Sequence, residues 1–259
     1  MTTDLLSEIT TDHPKRGLKT IITGSEGCGK TSTLAYFKDP IYIVTAGEQS
    51  LSTLQKSGAI PPTKSFPPVA TLMMLLEMIR QLIKSPKKVE TLVIDALDGI
   101  EALVKDHVIK EKFNGKVESF MDYGRGWPHV SDNWRYLLQL LDELADQGTH
   151  VVIIAHLEVK RFSDPDWPDY DRWQPAAHKS IWPLTGRWSD NIFMISYLQH
   201  VTDGERGNKS KARGTSERIV YCTPGPARVC KNRFNLDDMY SLGTSPEAAA
   251  KVLKKILSL

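Results

Sequence analysis

Long apolar runs are missing from this chain: nowhere do apolar residues continue for the roughly 20 positions that a membrane-spanning helix needs. The first residues, Met1 to Glu8, also lack the basic-then-apolar layout of an export signal. The expectation is a soluble, cytoplasmic protein. Cysteine is scarce: Cys28, Cys222 and Cys230 are too few for a disulfide framework, which points to a reducing compartment. An excess of charge of one sign is absent as well. With 33 Lys and Arg against 31 Asp and Glu, the net charge is only +2, so global charge does not advertise nucleic-acid binding and any such surface must be local. No internal repeat or low-complexity tract interrupts the sequence. What is present is ordinary for a globular chain: 259 residues, 41 % hydrophobic and 25 % charged, enough for one large α/β domain with a substantial core.

One motif stands out. Gly24, Ser25, Glu26, Gly27, Cys28, Gly29, Lys30 and Thr31 spell G-x-x-x-x-G-K-T, followed by Ser32. The β-branched run Lys19–Thr23 before it reads as a buried strand, and Ser32–Lys38 after it can open a helix. This is the setting of a phosphate-binding loop. Its glycines permit a tight turn that aims successive N–H groups inward, an anion nest reinforced by the helix N-terminus. Lys30 would reach the outer phosphates of ATP, and Thr31 would ligate Mg²⁺.

The chain then alternates short apolar runs with longer segments, the pattern of a mainly parallel sheet covered by helices. Strands are expected at Thr20–Thr23, Ile41–Thr45, Thr91–Ile94, Val151–Ala155 and Ile192–Leu198. Apolar spacing predicts helices over Leu72–Ile83 and Trp134–Ala145. Past Ile192 a hairpin is expected with Ile219–Cys222, then a short strand near Arg228–Cys230, so antiparallel strands end the sheet. Ser245 as N-cap and Pro246 at the first helical position predict a terminal helix. The expected organisation is an N-terminal arm over 1–17, a core domain over 18–240 and a C-terminal helix within 241–259.

Further site candidates follow from the strand ends. Thr91-Leu92-Val93-Ile94-Asp95 is an apolar strand closed by a carboxylate that would hold the Mg²⁺ shell; an ordinary helix cap is the other reading of Asp95. The base that polarises the attacking water would be Glu48, Asp98 or Glu101. His156 closes the strand Val151–Ala155 and would sense the terminal phosphate, unless it is simply a buried, satisfied histidine. Lys231 and Arg233, two apart on a late strand, would share one face; the alternative is a solvated strand edge.

In order and spacing, Gly24–Thr31, Ala46-Gly47-Glu48, Leu92–Asp95, Ile154-Ala155-His156 and Lys231-Asn232-Arg233-Phe234 resemble the core of RecA-like ATPases. They look most like the phage-encoded branch of AAA-type ATPases that includes single-strand-annealing recombinases. The resemblance spans about residues 18–236. It implies a RecA-like P-loop fold, Mg²⁺ and ATP as cofactors, Glu48 as the base and His156 as a link to a DNA-binding loop. It also implies Lys231 and Arg233 as cations reaching the ATP of an adjacent subunit in a ring or filament, hence a homo-oligomer. Ala96 departs from the pattern, since recombinases usually carry a hydroxyl residue there.

Three segments are candidates for single-stranded DNA. Phe162, Trp167, Tyr170, Trp173, Trp182 and Trp188 could stack bases, though Asp164, Asp166, Asp169 and Asp171 argue for a packed lid instead. Arg206–Arg213 is basic and Gly-rich, and Tyr123-Gly124-Arg125-Gly126-Trp127 combines rings with a cation. The function expected is an ATPase acting in recombination or annealing, in the bacterial cytoplasm if phage-encoded. Its rivals are a helicase or helicase-loading motor and an ATP-switched adaptor that binds no DNA.

Overall fold

A computed structural model describes residues 9–11, 15–202 and 211–259 of the chain. In chain order the elements begin with β1 (Lys19–Gly24), α1 (Lys30–Leu34), β2 (Pro40–Val44), α2 (Ser50–Lys56), β3 (Lys64–Ser65) and α3 (Leu72–Lys84). The middle of the chain forms β4 (Thr91–Asp95), α4 (Leu97–Phe113), α5 (Val117–Met121) and α6 (Trp127–Asp146). Then come β5 (His150–Ala155), β6 (Leu157–Phe162), β7 (Tyr170–Pro175), α7 (Trp182–Trp188) and β8 (Asn191–Thr202). The last are β9 (Lys211–Tyr221), β10 (Met239–Gly243) and α8 (Pro246–Ile256).

Eight strands form one sheet in the order β10-β9-β8-β1-β5-β4-β2-β3, and β6 and β7 make a separate hairpin. From β8 through β3 every pairing is parallel, while β9 and β10 add antiparallel strands at one edge. Alternation divides the buried strand residues between two faces. Ile21, Leu92, Ile94, Val151 and Ile153 pack with α3, α4 and α6. Ile22, Val93, Val152 and Ile154 pack with Leu34 of α1, Leu51 of α2 and Leu253 of α8 on the other side. Central strands buried on both faces read as unbroken apolar runs, which is why they are legible in sequence.

The expected mainly parallel α/β sheet with antiparallel C-terminal strands is what forms. Helix α6 starts earlier than its apolar stripe, because Pro128 at its first turn pre-sets a helical φ. Helix α8 is capped by Ser245, whose hydroxyl accepts from Ala248 N at 3.2 Å. The strand expected near Arg228–Cys230 is a correction: only isolated bridges occur there, Gly225 to Arg228, Trp173 to Arg228 and Ile192 to Lys231. Pro224 and Pro226 remove ladder donors, and the Asn232 side chain accepts from the N–H groups of Phe234 and Leu236. The strand beside β9 is β10 instead, so the domain boundary drawn at 240 falls inside a strand.

Candidate functional site

Because β1, β5 and β4 lie side by side and parallel, their C-terminal ends emerge together. The phosphate-binding loop follows β1, His156 follows β5, and Asp95 ends β4; Val44 at the end of β2 is level with Asp95. This is the crevice where open α/β sheets bind ligands. Gly27 and Gly29 hold φ of +73° and +91°, left-handed backbone that shapes the loop and that glycine adopts without steric cost. Gly99, in the first turn of α4, is set by space instead: a Cβ there would stand 2.4 Å from Thr45 Oγ1. Its absence lets the start of α4 close on the end of β2, near Glu48.

These residues line a cavity of about 740 Å³ that includes Lys30, Thr31, Glu48, Asp95, His156 and Arg218. Thr31 Oγ1 donates to Asp95 Oδ2 at 2.7 Å. Burial raises the Asp95 carboxyl to about 6, with the Thr31 hydroxyl pulling the other way. The pair offers the hard oxygen donors that Mg²⁺ prefers. Thr31 and Asp95 leave the remaining positions of such an ion to water and the oxygens of a nucleotide. Lys30 Nζ donates to Gly24 O at 2.7 Å and Ser25 O at 2.9 Å. Its charge is met by carbonyl dipoles of its own loop, with no carboxylate in salt-bridge range among the described residues. The loop, the lysine and the Thr31–Asp95 pair thus fit Mg²⁺ and a polyphosphate.

Of the three carboxylates expected to compete as base, Glu48 lines this cavity, whereas the other two face partners of their own. Glu101 accepts from His178 N at 2.9 Å, and Asp98 Oδ1 lies 2.9 Å from His156 Nδ1. Glu48 Oε1 accepts from Ser50 N at 2.8 Å and from the Ser50 hydroxyl. Burial pushes the Glu48 carboxyl up, but those Ser50 bonds outweigh it and hold it below its ordinary value. The hydrogen bond that His156 donates to the Asp98 carboxylate raises His156 against the opposing effect of burial. Ala96 is buried in the core beside Val93 and contributes no hydroxyl.

The other sequence candidates scatter. Lys231 and Arg233 are not on a strand, and the face they were expected to share does not exist. Lys231 Nζ donates to Gly186 O at 2.9 Å and also to Arg187 O and Ser189 O. It caps the C-terminus of α7, which corrects the expectation of a free cation. Arg233 Nε lies 3.7 Å from Asp190 Oδ1 and its side chain is 56 % exposed. Both sit beside the start of β8, at the edge of the sheet away from the loop. Trp127 is not a free stacking ring either: its centroid is 3.3 Å from that of His178. Tyr123 in the same segment is 97 % exposed. The six-aromatic segment divides, with Phe162, Trp167, Tyr170 and Trp173 on or between β6 and β7, and Trp182 and Trp188 packed against the core. Residues 206–210, and the side chains of 211–213, lie outside the described residues.

Arg218 was missed. It lies in β9 opposite Tyr197, and nothing in its sequence neighbourhood announces a site, because only the pairing of β9 with β8 and of β8 with β1 carries it to the loop.

Fold and cavity define a P-loop nucleotide-binding protein of α/β type. The chain belongs to a family described as AAA domain, whose model matches residues 16–234, and that membership implies binding and hydrolysis of ATP. No curated protein matches the chain. Among the described residues no helix is long and apolar enough to cross a membrane.

The His156–Asp98 pair gives a direct check. The carboxylate favours the imidazolium, so the pair adds stability below the unfolded histidine value of about 6.5 and loses it as pH rises through the raised folded value. Asp98→Asn should lower the His156 pKa toward or below its ordinary value in a proton NMR titration of the imidazole. An unchanged pKa would show that the pair does not govern this histidine.

Proposed function

We propose that this protein is a Mg²⁺-dependent ATPase acting on single-stranded DNA in recombination or strand annealing, with the phage setting that the resemblance implies. The observation carrying the DNA part is continuity: β5, His156 and β6 form one covalent run from the cavity into the β6–β7 hairpin. That hairpin offers rings and cations to unpaired bases and phosphates. Trp167 is 73 % exposed and Trp173 39 %, with Lys160, Arg161 and Arg172 on the same two strands, the first paired with Glu158, the second 3.7 Å from Asp169 and the third lying over the Phe162 ring. Two of the four aspartates that argued against DNA have duties within the hairpin. Asp164 accepts from Asp166 N and Tyr170 Oη, and Asp169 lies 3.7 Å from Arg161.

In the reaction, Glu48 accepts the proton of the attacking water, the loop N–H groups and Lys30 hold the phosphates, and His156 reports the terminal phosphate to the hairpin. Mg²⁺, held by Thr31 and Asp95, supplies charge neutralisation when bound. Arg233, rather than the already bonded Lys231, is the cation offered to a neighbouring subunit in a ring or filament.

Glu48→Gln should keep nucleotide binding and lose on the order of 10²-fold or more in turnover, because an amide cannot accept the proton. Near-normal phosphate release would move the role to Asp98 or Glu101. Adding single-stranded DNA should raise the ATPase rate of the wild type, and Trp167→Ala should blunt that rise while leaving the DNA-free rate intact. A DNA-independent rate with no DNA binding would favour the adaptor, and ATP-driven strand displacement would favour the helicase. Arg233→Ala should bind ATP yet fail to hydrolyse it, and mixing it with Lys30→Ala should restore part of the activity through mixed interfaces. A mixture that co-assembles and stays inactive would make Arg233 a surface charge.

A further inference from the structure

Among the described residues, Arg218 is an arginine without an acid. Its Nε donates to Cys28 O at 3.0 Å, Nη1 to Thr244 O at 2.5 Å, and Nη2 reaches Tyr197 Oη at 3.5 Å. The same Tyr197 hydroxyl donates to Gly27 O at 3.1 Å, and the guanidinium lies over its ring at 5.3 Å. No carboxylate lies in salt-bridge range of Arg218 among the described residues, so carbonyl and hydroxyl dipoles are its only described partners. A guanidinium has five N–H groups, and three of them account for these bonds. The side chain nevertheless lines the cavity. A cation left with spare donors at the wall of an anion-binding loop is suited to an anionic oxygen.

Its place along the loop says which oxygen. A Cβ on Gly29 would stand 2.9 Å from Arg218 Nε and 3.3 Å from Ser32 Oγ. Arg218 therefore flanks the loop at Gly29, whereas Thr31 meets Asp95, which feels the charges of Glu48 and His156. The wall next to Arg218 continues into Pro246, and Leu54 and Ala59 of the α2 end also line the cavity. That rim is apolar, suited to a sugar and base rather than to phosphate.

We propose that Arg218 binds the phosphate nearest the sugar, from within the same chain, and that its Thr244 contact makes the β10–α8 segment part of the nucleotide site. This rests on the nucleotide-binding reading above. It adds a residue to it and extends the site past residue 234, where the family match ends. The phosphate concerned is common to ADP and ATP, which separates this role from a finger aimed at the terminal phosphate.

Calorimetric titrations of wild type, Arg218→Ala and Arg218→Lys with Mg²⁺-ADP and Mg²⁺-ATP provide the test. Removing a charge-assisted bond should weaken both nucleotides by about 10-fold or more and by similar factors. Arg218→Lys should recover part of the loss, and kcat at saturating ATP should change far less than KM. The nucleotide-free melting temperatures should stay close to that of the wild type. Unchanged ADP affinity in Arg218→Ala, or a loss confined to ATP, would overturn the proposal. So would a large drop in nucleotide-free melting temperature with no recovery by lysine, which would mark a purely structural tie. A wild type that binds neither nucleotide would strike the underlying reading instead, so the two failures are distinguishable.

Discussion

The insertion of β5 between β1 and β4, with all three strands parallel, is the constraint on which the rest of the molecule depends. Parallel pairing in register, Thr23 with Ala155 and Ile94 with Ile153, brings three chain segments distant in sequence to one edge of the sheet. Four side chains of the cavity are placed from there: Lys30 and Thr31 by the turn after β1, His156 by the end of β5, Asp95 by the last residue of β4. A slip of one residue would reverse the faces of a whole strand and move its apolar set out of one core layer. The two apolar layers therefore fix the chemistry as well as the fold.

Charge in the cavity is distributed unevenly. Two acids of the cavity have specific donors, Asp95 the Thr31 hydroxyl and Glu48 the Ser50 N–H and hydroxyl, and Asp98 beside it faces His156. The cations Lys30 and Arg218 are held by main-chain carbonyls and a phenol. Dipoles position a cation without neutralising it, so the positive charge of the loop region stays available to an anion. Lys231 shows the contrasting case. It too is bonded to carbonyls, but at the C-terminus of α7, far from the loop along the sheet, where its charge complements a helix end.

The buried strands and the loop motif were readable from sequence because each is written locally, in apolar runs and in glycine spacing. Helix α4 was not recognised: its buried residues Ile100, Val104 and Val108 form a narrow stripe among lysines and acids. The β6–β7 hairpin, open in sequence between a packed lid and a DNA-stacking segment, is not legible as strands because it mixes charge with aromatics and buries little. Asp95, Glu48 and His156 could be nominated since they end strands, but choosing among Glu48, Asp98 and Glu101 needed knowledge of which partners each one meets. Lys231 and Arg233 misled because spacing of two implies a shared face only on a strand. Arg218 had no local signal whatever, since its place beside the loop is created by β8 and β9 pairing alongside β1.

Nucleotide chemistry at this site requires that the loop from Gly24 to Thr31 bind the phosphates of ATP with Lys30 as its mobile cation. Titration of ATP with Mg²⁺ into wild type and Lys30→Ala, both checked for native melting, tests it most directly. Saturable binding by the wild type and loss of that binding in the variant are expected, with the fold intact because Lys30 bonds only carbonyls of its own loop. Equal affinity in the two proteins would contradict it.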